Sequence, residues 1–169
     1  MTCPRRLARG FGGDECGGGG VTLGSEKAKI QIPKRDFYHA PIRKALENDG
    51  WKITADPMQF VWNEKPYFPD LGAERVIAAE RGPEKIAVEI KSFLGADFNS
   101  EFYEAMGQFD SYFFALADLE PERTVMLAIS EKTWQEFFSQ PHARRLRELK
   151  KIPLIVVNID NQTIVQWIK

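Results

Sequence analysis

The alternating run from Ile86 to Lys91 constrains the fold of this chain more than any other stretch. Its apolar members predict one buried face of a β-strand, because successive side chains of a strand point to opposite faces. Glu89 and Lys91 therefore project together from the other face. Asp70 opens a second apolar run upstream, which predicts the strand that precedes this one.

These residue types indicate a phosphodiester-hydrolysing site. Two acids, Asp70 and Glu89, can share a divalent cation, and Lys91 can neutralise the charge of a phosphate. A hairpin with its turn at residues 81–83 would, however, place Asp70 opposite a residue about five positions beyond Glu89, too far for a shared metal at about 3.3 Å per residue. We therefore expect a bend, a bulge or an asymmetric loop, with Gly72 as the natural place for the chain to curl.

Length, charge and cysteine usage limit the class of protein. The chain has 169 residues, which is enough for one domain with a proper core, and its formal net charge is −1, which weighs against a dedicated nucleic-acid coat. Cys3 and Cys16 have no partners at zinc-ligand spacing, so no zinc site is expected. No apolar run approaches a membrane span, and we expect a cytoplasmic protein without a membrane partner.

The first 30 residues differ from the rest of the chain in composition. They are rich in glycine and poor in apolar side chains, which predicts a disordered tail over residues 1–30. The basic start of this tail is not followed by an apolar segment, so it does not predict a secretory signal. The folded domain is predicted over residues 34–169.

The domain shows an element order of α-β-β-β-α-β-α-α-β-β, which predicts an α/β fold with a mixed central sheet flanked by helices. The first helix ends at Asp49-Gly50, and residues 51–62 form either one bent strand or two short strands before a turn at residues 63–66. The longest helix runs from residues 95–97 to about Leu116. Its apolar stripe at helical spacing predicts the following buried residues: Phe98, Phe102, Met106, Phe109, Phe113 and Leu116.

Two further polar positions are placed by helical geometry. Gln108 and Tyr112 are four residues apart on the longest helix and therefore share one ridge beside its buried stripe. His39 falls on the first helix, where we expect it on the surface or at the cap. A supporting role for His39 in the site is the alternative.

The pattern Pro69-Asp70 followed by Glu89-Ile90-Lys91 resembles the signature of the PD-(D/E)XK nuclease superfamily. The restriction-endonuclease-like core of that superfamily has the order α-β-β-β-α-β. The stretch Gln108-Phe109-Asp110-Ser111-Tyr112 is similar to the Q-x-x-x-Y motif that exonuclease-like branches carry on the next helix. The signature is short, but the two motifs occur here in the expected order.

More closely, residues 35–169 resemble the XisH family, the cyanobacterial fdxN element excision controlling factors. The resemblance covers nearly the whole predicted domain and excludes the glycine-rich tail. The matching stretches are Asp49-Gly50-Trp51, Asp70-Leu71-Gly72-Ala73-Glu74, Ile77-Ala78-Ala79-Glu80, Ile86-Ala87-Val88-Glu89-Ile90-Lys91-Ser92-Phe93, Gly107-Gln108-Phe109, Glu120-Pro121-Glu122-Arg123 and Ile164-Val165-Gln166-Trp167.

The resemblance implies a metal-dependent nuclease site and a role in excision of a DNA element. Asp70, Glu89 and the carbonyl of Ile90 would ligate Mg²⁺ or Mn²⁺, which prefer oxygen ligands. Lys91 would hold the attacking water or stabilise the phosphate charge, and Gln108 would orient the ligands or the phosphate. DNA is the implied substrate, and a companion protein called XisI is an implied partner.

Other interpretations remain open at this point. A Glu and a Lys on one strand face often form only a solvated ion pair. The chain would then be a non-catalytic accessory that binds DNA or a partner protein, and the near-neutral charge favours that interpretation. XisI or a homodimer would supply the basic surface that a nuclease needs, and an RNA substrate is a third alternative.

Overall fold

The computed structural model describes residues 34–78 and 82–169. The predicted tail over residues 1–30 lies outside the described residues. The described elements are α1 (His39–Asn48), β1 (Lys52–Ala55), β2 (Phe60–Trp62), β3 (Lys65–Tyr67), β4 (Leu71–Ala78), β5 (Gly82–Ile90), α2 (Phe98–Leu119), β6 (Arg123–Ser130), α3 (Glu131–Thr133) with a π-helical turn (Trp134–Phe138), α4 (Pro141–Lys150), β7 (Leu154–Asn158) and β8 (Thr163–Ile168).

Among the described residues, six strands form one central sheet in the order β1-β4-β5-β6-β7-β8. The β5–β6 and β6–β7 pairs are parallel, and the other neighbouring pairs are antiparallel. The long helix α2 connects β5 to β6, as a parallel pair requires a crossover connection. The predicted mixed α/β sheet flanked by helices is therefore confirmed.

Both faces of the sheet are buried, and the alternation of β5 divides its side chains between them. Ile86, Val88 and Ile90 belong to the core on the α1 side, where they are packed with Ile42 and Leu46 of α1. The opposite face of β5 belongs to the core on the α2 side, which includes several aromatic rings of α2. The predicted division of β5 is confirmed, and it directs Glu89 and Lys91 towards α2.

The register of the β4–β5 hairpin differs from the prediction. Gly82 and Pro83 are not turn residues, because Gly82 pairs with Ala78 and Pro83 pairs with Val76 inside the ladder. A proline is tolerated at the start of a strand, so the Gly-Pro pair does not force the turn there. Leu71 consequently pairs with Val88, which places the residue before Leu71 beside the end of β5.

The expected irregularity at Gly72 is also placed differently. The β4–β5 ladder has its register shift between Val76 and Ala78 and not at Gly72, and the shift next to Gly72 lies in β1, between Ile53 and Ala55. Gly72 instead permits a close approach, because a Cβ at this position would lie 3.3 Å from the sulfur of Met58. The glycine thus allows the chain around Met58 to pack directly on β4, next to the start of this strand.

The helix α2 begins where Asp97 accepts a hydrogen bond from the backbone N–H of Asn99, at 3.0 Å. Its predicted buried stripe is wrong at Phe113, which is 51% exposed, whereas the neighbouring Tyr112 is buried. A tyrosine is stable there because its hydroxyl reaches the carbonyl of Phe68, at 3.3 Å. No helix in the described ranges is long and apolar enough to cross a membrane.

A small hairpin was not predicted. Residues 51–62 form two short strands, as one alternative had it, but β2 pairs with β3 in a separate two-stranded sheet. The predicted turn at residues 63–66 is shorter than expected, because β3 already begins at Lys65. Asn63 and Glu64 both have positive φ, which matches the two-residue loops that connect tight hairpins.

Candidate active site

Asp70 lies immediately before β4, at the edge of the ladder with β5. Its carboxylate oxygen Oδ2 accepts a hydrogen bond from the backbone N–H of Ile90, at 2.8 Å. Two hydrogen bonds fix the segment before Asp70. The backbone N–H of Met58 donates to the carbonyl of Pro69, and the hydroxyl of Tyr112 donates to the carbonyl of Phe68. The carboxylate of Asp70 is thereby held next to the last residues of β5.

Glu89 occupies the penultimate position of β5 and is only 5% exposed. Because β5 is flanked by β4 on one side and by β6 on the other, its backbone is fixed by two ladders. The side chain lies on the α2 face of the sheet. The two acids predicted to cooperate are therefore on neighbouring strands, at the same end of the hairpin.

The two carboxyl groups are strongly perturbed. Burial raises the pKa of Glu89 to about 9, and the charge of Asp70 adds to that shift. Burial also raises the pKa of Asp70 to about 6, and the charges of Asp36 and Asp56 act in the same direction. For Asp70, the hydrogen bond from Ile90 opposes this rise. Two acids that resist ionisation together form a site that favours a cation between them.

Lys91 enters the same site from the end of β5. Its side chain is 16% exposed, and its ammonium group lies 2.8 Å from Oε2 of Glu104 on α2. Its backbone N–H donates to the carbonyl of Ala128 in β6, which fixes the position of the residue. The lysine is thus held at the mouth of the site by a flexible surface acid, because Glu104 is 60% exposed at its side chain.

One ridge of α2 forms the wall that faces these residues. Glu104, Gln108 and Tyr112 follow each other at intervals of four residues and therefore share a face. The side-chain oxygen of Gln108 is buried and has no hydrogen-bond partner within the described part of the chain. Burial raises the pKa of Tyr112, and the charge of Glu89 adds to the rise, so that its hydroxyl stays protonated.

These residues enclose a cleft of about 250 Å³. All predicted site residues line it, namely Asp70, Glu89, Ile90, Lys91 and Gln108, and Tyr112 joins them. Four members were not predicted as site residues: Lys34, Asp36, Phe68 and Glu104. Glu104 had a signal in the sequence, because it lies one helical turn before Gln108.

Asp36 has no comparable signal. It precedes α1, which begins at His39 and receives no side-chain cap. The carboxylate of Asp36 accepts hydrogen bonds from the N–H groups of Tyr38, at 2.8 Å, and of Ser92, at 2.9 Å. It thus joins the chain before α1 to the segment after β5, a long-range contact that spacing does not reveal.

The surface position expected for His39 is wrong. His39 is buried, and its Nε2 lies 3.0 Å from a carboxylate oxygen of Asp56. Asp56 also contacts Arg35 and Arg43, so the histidine belongs to an ion-pair cluster beside the site. His39 does not line the cleft, and its contact with the site passes through Asp56, whose charge acts on Asp70.

The donor set of the cleft fits a hard divalent cation. No group of three or more His, Cys, Asp and Glu side chains in the described ranges could by itself hold a metal ion. Asp70, Glu89 and the carbonyl of Ile90 would provide two carboxylates and one neutral oxygen. Mg²⁺ is commonly bound in this way, by one or two carboxylates together with waters and substrate phosphate. The raised pKa values of both acids agree with a site built for positive charge.

A larger groove of about 600 Å³ lies on the other flank of α2, beside the end of α4. Its walls are mostly apolar, with Phe109, Phe113 and Phe114 from α2. None of the predicted site residues lines it. The candidate chemistry is therefore confined to the smaller cleft.

A family model described as XisH protein matches residues 32–165. The fold is similar to the crystal structure of an XisH family protein from Nostoc punctiforme PCC 73102, with a TM-score of 0.72, 35% sequence identity, and coverage of 79% of this chain and 100% of that chain.

A second similar structure is a fdxN element excision controlling factor protein from Anabaena variabilis. It also gives a TM-score of 0.72 and 35% identity, and the alignment covers 80% of this chain and 100% of that chain. A search of the curated proteins gives no match. The family match includes every residue of the candidate cleft.

Proposed function

The chain belongs to the XisH family, and we propose that it is a metal-dependent, endonuclease-like protein with a PD-(D/E)XK core that hydrolyses DNA phosphodiester bonds. One observation carries the proposal. Glu89 is buried beside the partly buried Asp70 at the end of one hairpin, and both pKa values are raised, Glu89 above neutrality. Such a pair is unfavourable without a cation, and Lys91 and Gln108 line the same cleft.

Each residue of the cleft has a task in this proposal. Asp70, Glu89 and the carbonyl of Ile90 would hold Mg²⁺ or Mn²⁺, which when bound polarises the phosphate and lowers the pKa of a coordinated water. The ammonium of Lys91 would exchange its contact with Glu104 for the scissile phosphate, where negative charge develops.

The helix wall supplies orientation. The buried side-chain oxygen of Gln108 has no hydrogen-bond partner among the described residues and can accept a hydrogen bond from the attacking water. The protonated hydroxyl of Tyr112 holds the carbonyl of Phe68 and thereby the segment that leads into Asp70. The reaction is a hydrolysis, so water attacks phosphorus and the leaving oxygen of the sugar takes up a proton.

The biological setting follows from the relatives. Because a similar protein from Anabaena variabilis is described as a fdxN element excision controlling factor, we place the proposed activity in excision of a DNA element or related DNA processing. The net charge of −1 gives no general attraction to DNA. We propose that XisI, or a second copy in a homodimer, supplies the basic approach surface.

A non-catalytic accessory factor is the second candidate. The observation in its favour is the contact between Lys91 and Glu104, because an ion pair of 2.8 Å already satisfies the lysine without any phosphate. In that case the acids and the lysine would only shape a surface that binds DNA or a partner in controlling excision.

Cleavage of plasmid and single-stranded DNA in Mg²⁺ or Mn²⁺ separates the two candidates. We expect the wild type to cut, and we expect Asp70→Ala and Lys91→Ala to lose cutting by two or more orders of magnitude, the usual effect of removing a charge-stabilising group. Lys150→Ala is the matched control, because Lys150 also pairs with an acid of α2, 2.7 Å from Asp110, but outside the cleft.

The control variant should cut as the wild type does. Absence of cutting by the wild type, in the presence of XisI as well, would favour the accessory factor. Cutting that persists in Asp70→Ala would show that the activity does not come from this cleft.

A further inference from the structure

A second groove continues directly from the candidate cleft. It has a volume of about 370 Å³ and lies between α2 and the end of the β2–β3 hairpin with the following Phe68. Phe68, Glu104, Gln108 and Tyr112 line both the groove and the cleft, so the two spaces share a wall. Whatever occupies the groove is therefore the direct neighbour of whatever occupies the cleft.

The lining of the groove differs from that of the cleft. The cleft contains four carboxyl groups, whereas Glu104 is the only charged side chain that the described part of the chain contributes to the groove. Aromatic rings and a proline form its hairpin side, with Tyr67 stacked on Phe60 at a centroid distance of 5.4 Å. The groove is thus suited to a flat, largely apolar group and the cleft to a charged one.

Gly107 is the residue of α2 that keeps the groove open. It lies in the interior of α2, where glycine weakens a helix relative to alanine. No packing explains it, because a Cβ at Gly107 would meet no atom of the described chain within 4 Å. Its φ is not positive either, so the backbone does not require glycine. The missing side chain leaves the wall of the groove open at this point.

An occupant is indicated by the continuity of the two spaces. If the cleft holds the scissile phosphate, the group attached to it on one side is a nucleotide sugar and base. A base has a flat aromatic face that is recognised by apolar and aromatic walls. In a duplex that face is covered by stacked neighbours and its edge by the complementary strand, so only an unpaired base can enter such a groove.

We propose that this groove holds the unpaired base next to the scissile phosphate, with Gly107 providing the space, and that the substrate is DNA with a single-stranded segment at the cut. The inference rests on the proposed function for the position of the phosphate. The groove then selects DNA with a single-stranded segment, and the cleft hydrolyses the phosphodiester bond.

Fluorescence anisotropy tests the inference with a 20-nucleotide single strand and the blunt duplex of the same sequence. Ca²⁺ replaces Mg²⁺, because it takes the same oxygen ligands in a looser geometry. We expect the wild type to bind the single strand more tightly than the duplex. Gly107→Leu, which fills the groove, should weaken single-strand binding by about tenfold, the effect of losing one stacked base.

The stability of the variant separates a lost site from a lost fold. Leucine is a better helix former than glycine and projects into open space, so the melting temperature of Gly107→Leu should equal or exceed that of the wild type. Ala117→Leu is the matched control, because Ala117 is an exposed residue of the same helix outside both the cleft and this groove. It should bind as the wild type does.

The possible results distinguish the inference from the proposed function. Unchanged single-strand binding by a folded Gly107→Leu, or tighter binding of the duplex by the wild type, would overturn the inference and leave a nuclease on duplex DNA. A Gly107→Leu effect on binding in a protein that never cleaves would support the groove and overturn the nuclease proposal. A wild type that binds neither DNA would overturn both.

Discussion

The strand β5 carries two acid–lysine clusters, one at each end of its α2 face, and they behave in opposite ways. At the first end, the ammonium of Lys85 lies 2.9 Å from a carboxylate oxygen of Glu122 and 3.8 Å from one of Glu120. The hydrogen bond to Glu122 raises the pKa of Lys85, and the same bond lowers the pKa of Glu122. Each partner stabilises the charge of the other, and the cluster is complete.

At the second end, burial changes the outcome. Glu89 is buried beside the partly buried Asp70, and both pKa values are raised in spite of the nearby Lys91. Lys91 makes its close contact with Glu104 and not with either of these acids. The same residue types at the two ends of β5 therefore form a mutually stabilised ion pair at one end and a cluster with more carboxyl groups than lysines at the other. We interpret the second cluster as the proposed cation site.

The largest expected difference between the two ends is in catalysis. Glu89→Gln removes one of the two carboxylates available to the cation and should lower the rate of DNA cleavage by about three orders of magnitude. Glu122→Gln, the same substitution at the first end, should leave the rate unchanged. Both rates are measured on a single-stranded substrate in Mn²⁺. Equal loss in both variants would mean that the two clusters do not differ in function.

The next difference is in stability and its dependence on pH. The pKa of Glu89 rises from 4.5 to about 9 on folding. Its contribution to the free energy of unfolding is therefore fully present below about pH 4.5 and is lost as the pH rises towards 9. In EDTA, the wild type should therefore become less stable between these values, and Glu89→Gln should be more stable at pH 8 by about 1–3 kcal/mol.

Urea denaturation at pH 5 and pH 8 measures this effect. Mn²⁺ should reverse the loss in the wild type and should have little effect on Glu89→Gln, because the cation supplies the missing charge. Glu122 provides the contrast, because its pKa is lowered from 4.5. Its contribution to the free energy of unfolding is therefore present above pH 4.5 and is lost on acidification. If the stability of the wild type in EDTA does not fall between pH 5 and pH 8, the pKa of Glu89 is not raised by burial.

The difference between the two ends was only partly predictable from the sequence. Alternation correctly placed Glu89 and Lys91 on one side of the strand, and helical spacing correctly placed Gln108 and Tyr112 on one ridge of α2. That this ridge faces the acids was implied only by the resemblance to the nuclease superfamily. These patterns do not determine the register of the β4–β5 hairpin. Gly82 and Pro83 are typical turn residues, yet they pair within the ladder, and this displacement is what brings Asp70 to Ile90.

Helical spacing also did not determine which side chains of α2 are buried. Phe113 and Tyr112 are both compatible with the stripe of α2, and the choice depends on the carbonyl of Phe68, which belongs to a distant segment. Asp36 reaches the site through Ser92, 56 positions along the chain. Such contacts depend on tertiary packing, whereas periodicity reports only which residues share a face of one element.

The smallest effects are expected at the completed cluster, and they sharpen the comparison. Lys85→Ala removes an ion pair that is open to solvent, and such pairs contribute little to stability because water and salt screen them. The urea midpoint and the cleavage rate of Lys85→Ala should both equal those of the wild type at 0.15 M salt, while Lys91→Ala loses cleavage. The two lysines lie on the same side of the sheet, at opposite ends of β5. A clear loss of cleavage in Lys85→Ala would therefore contradict the proposal that only the lysine beside Asp70 and Glu89 acts in catalysis.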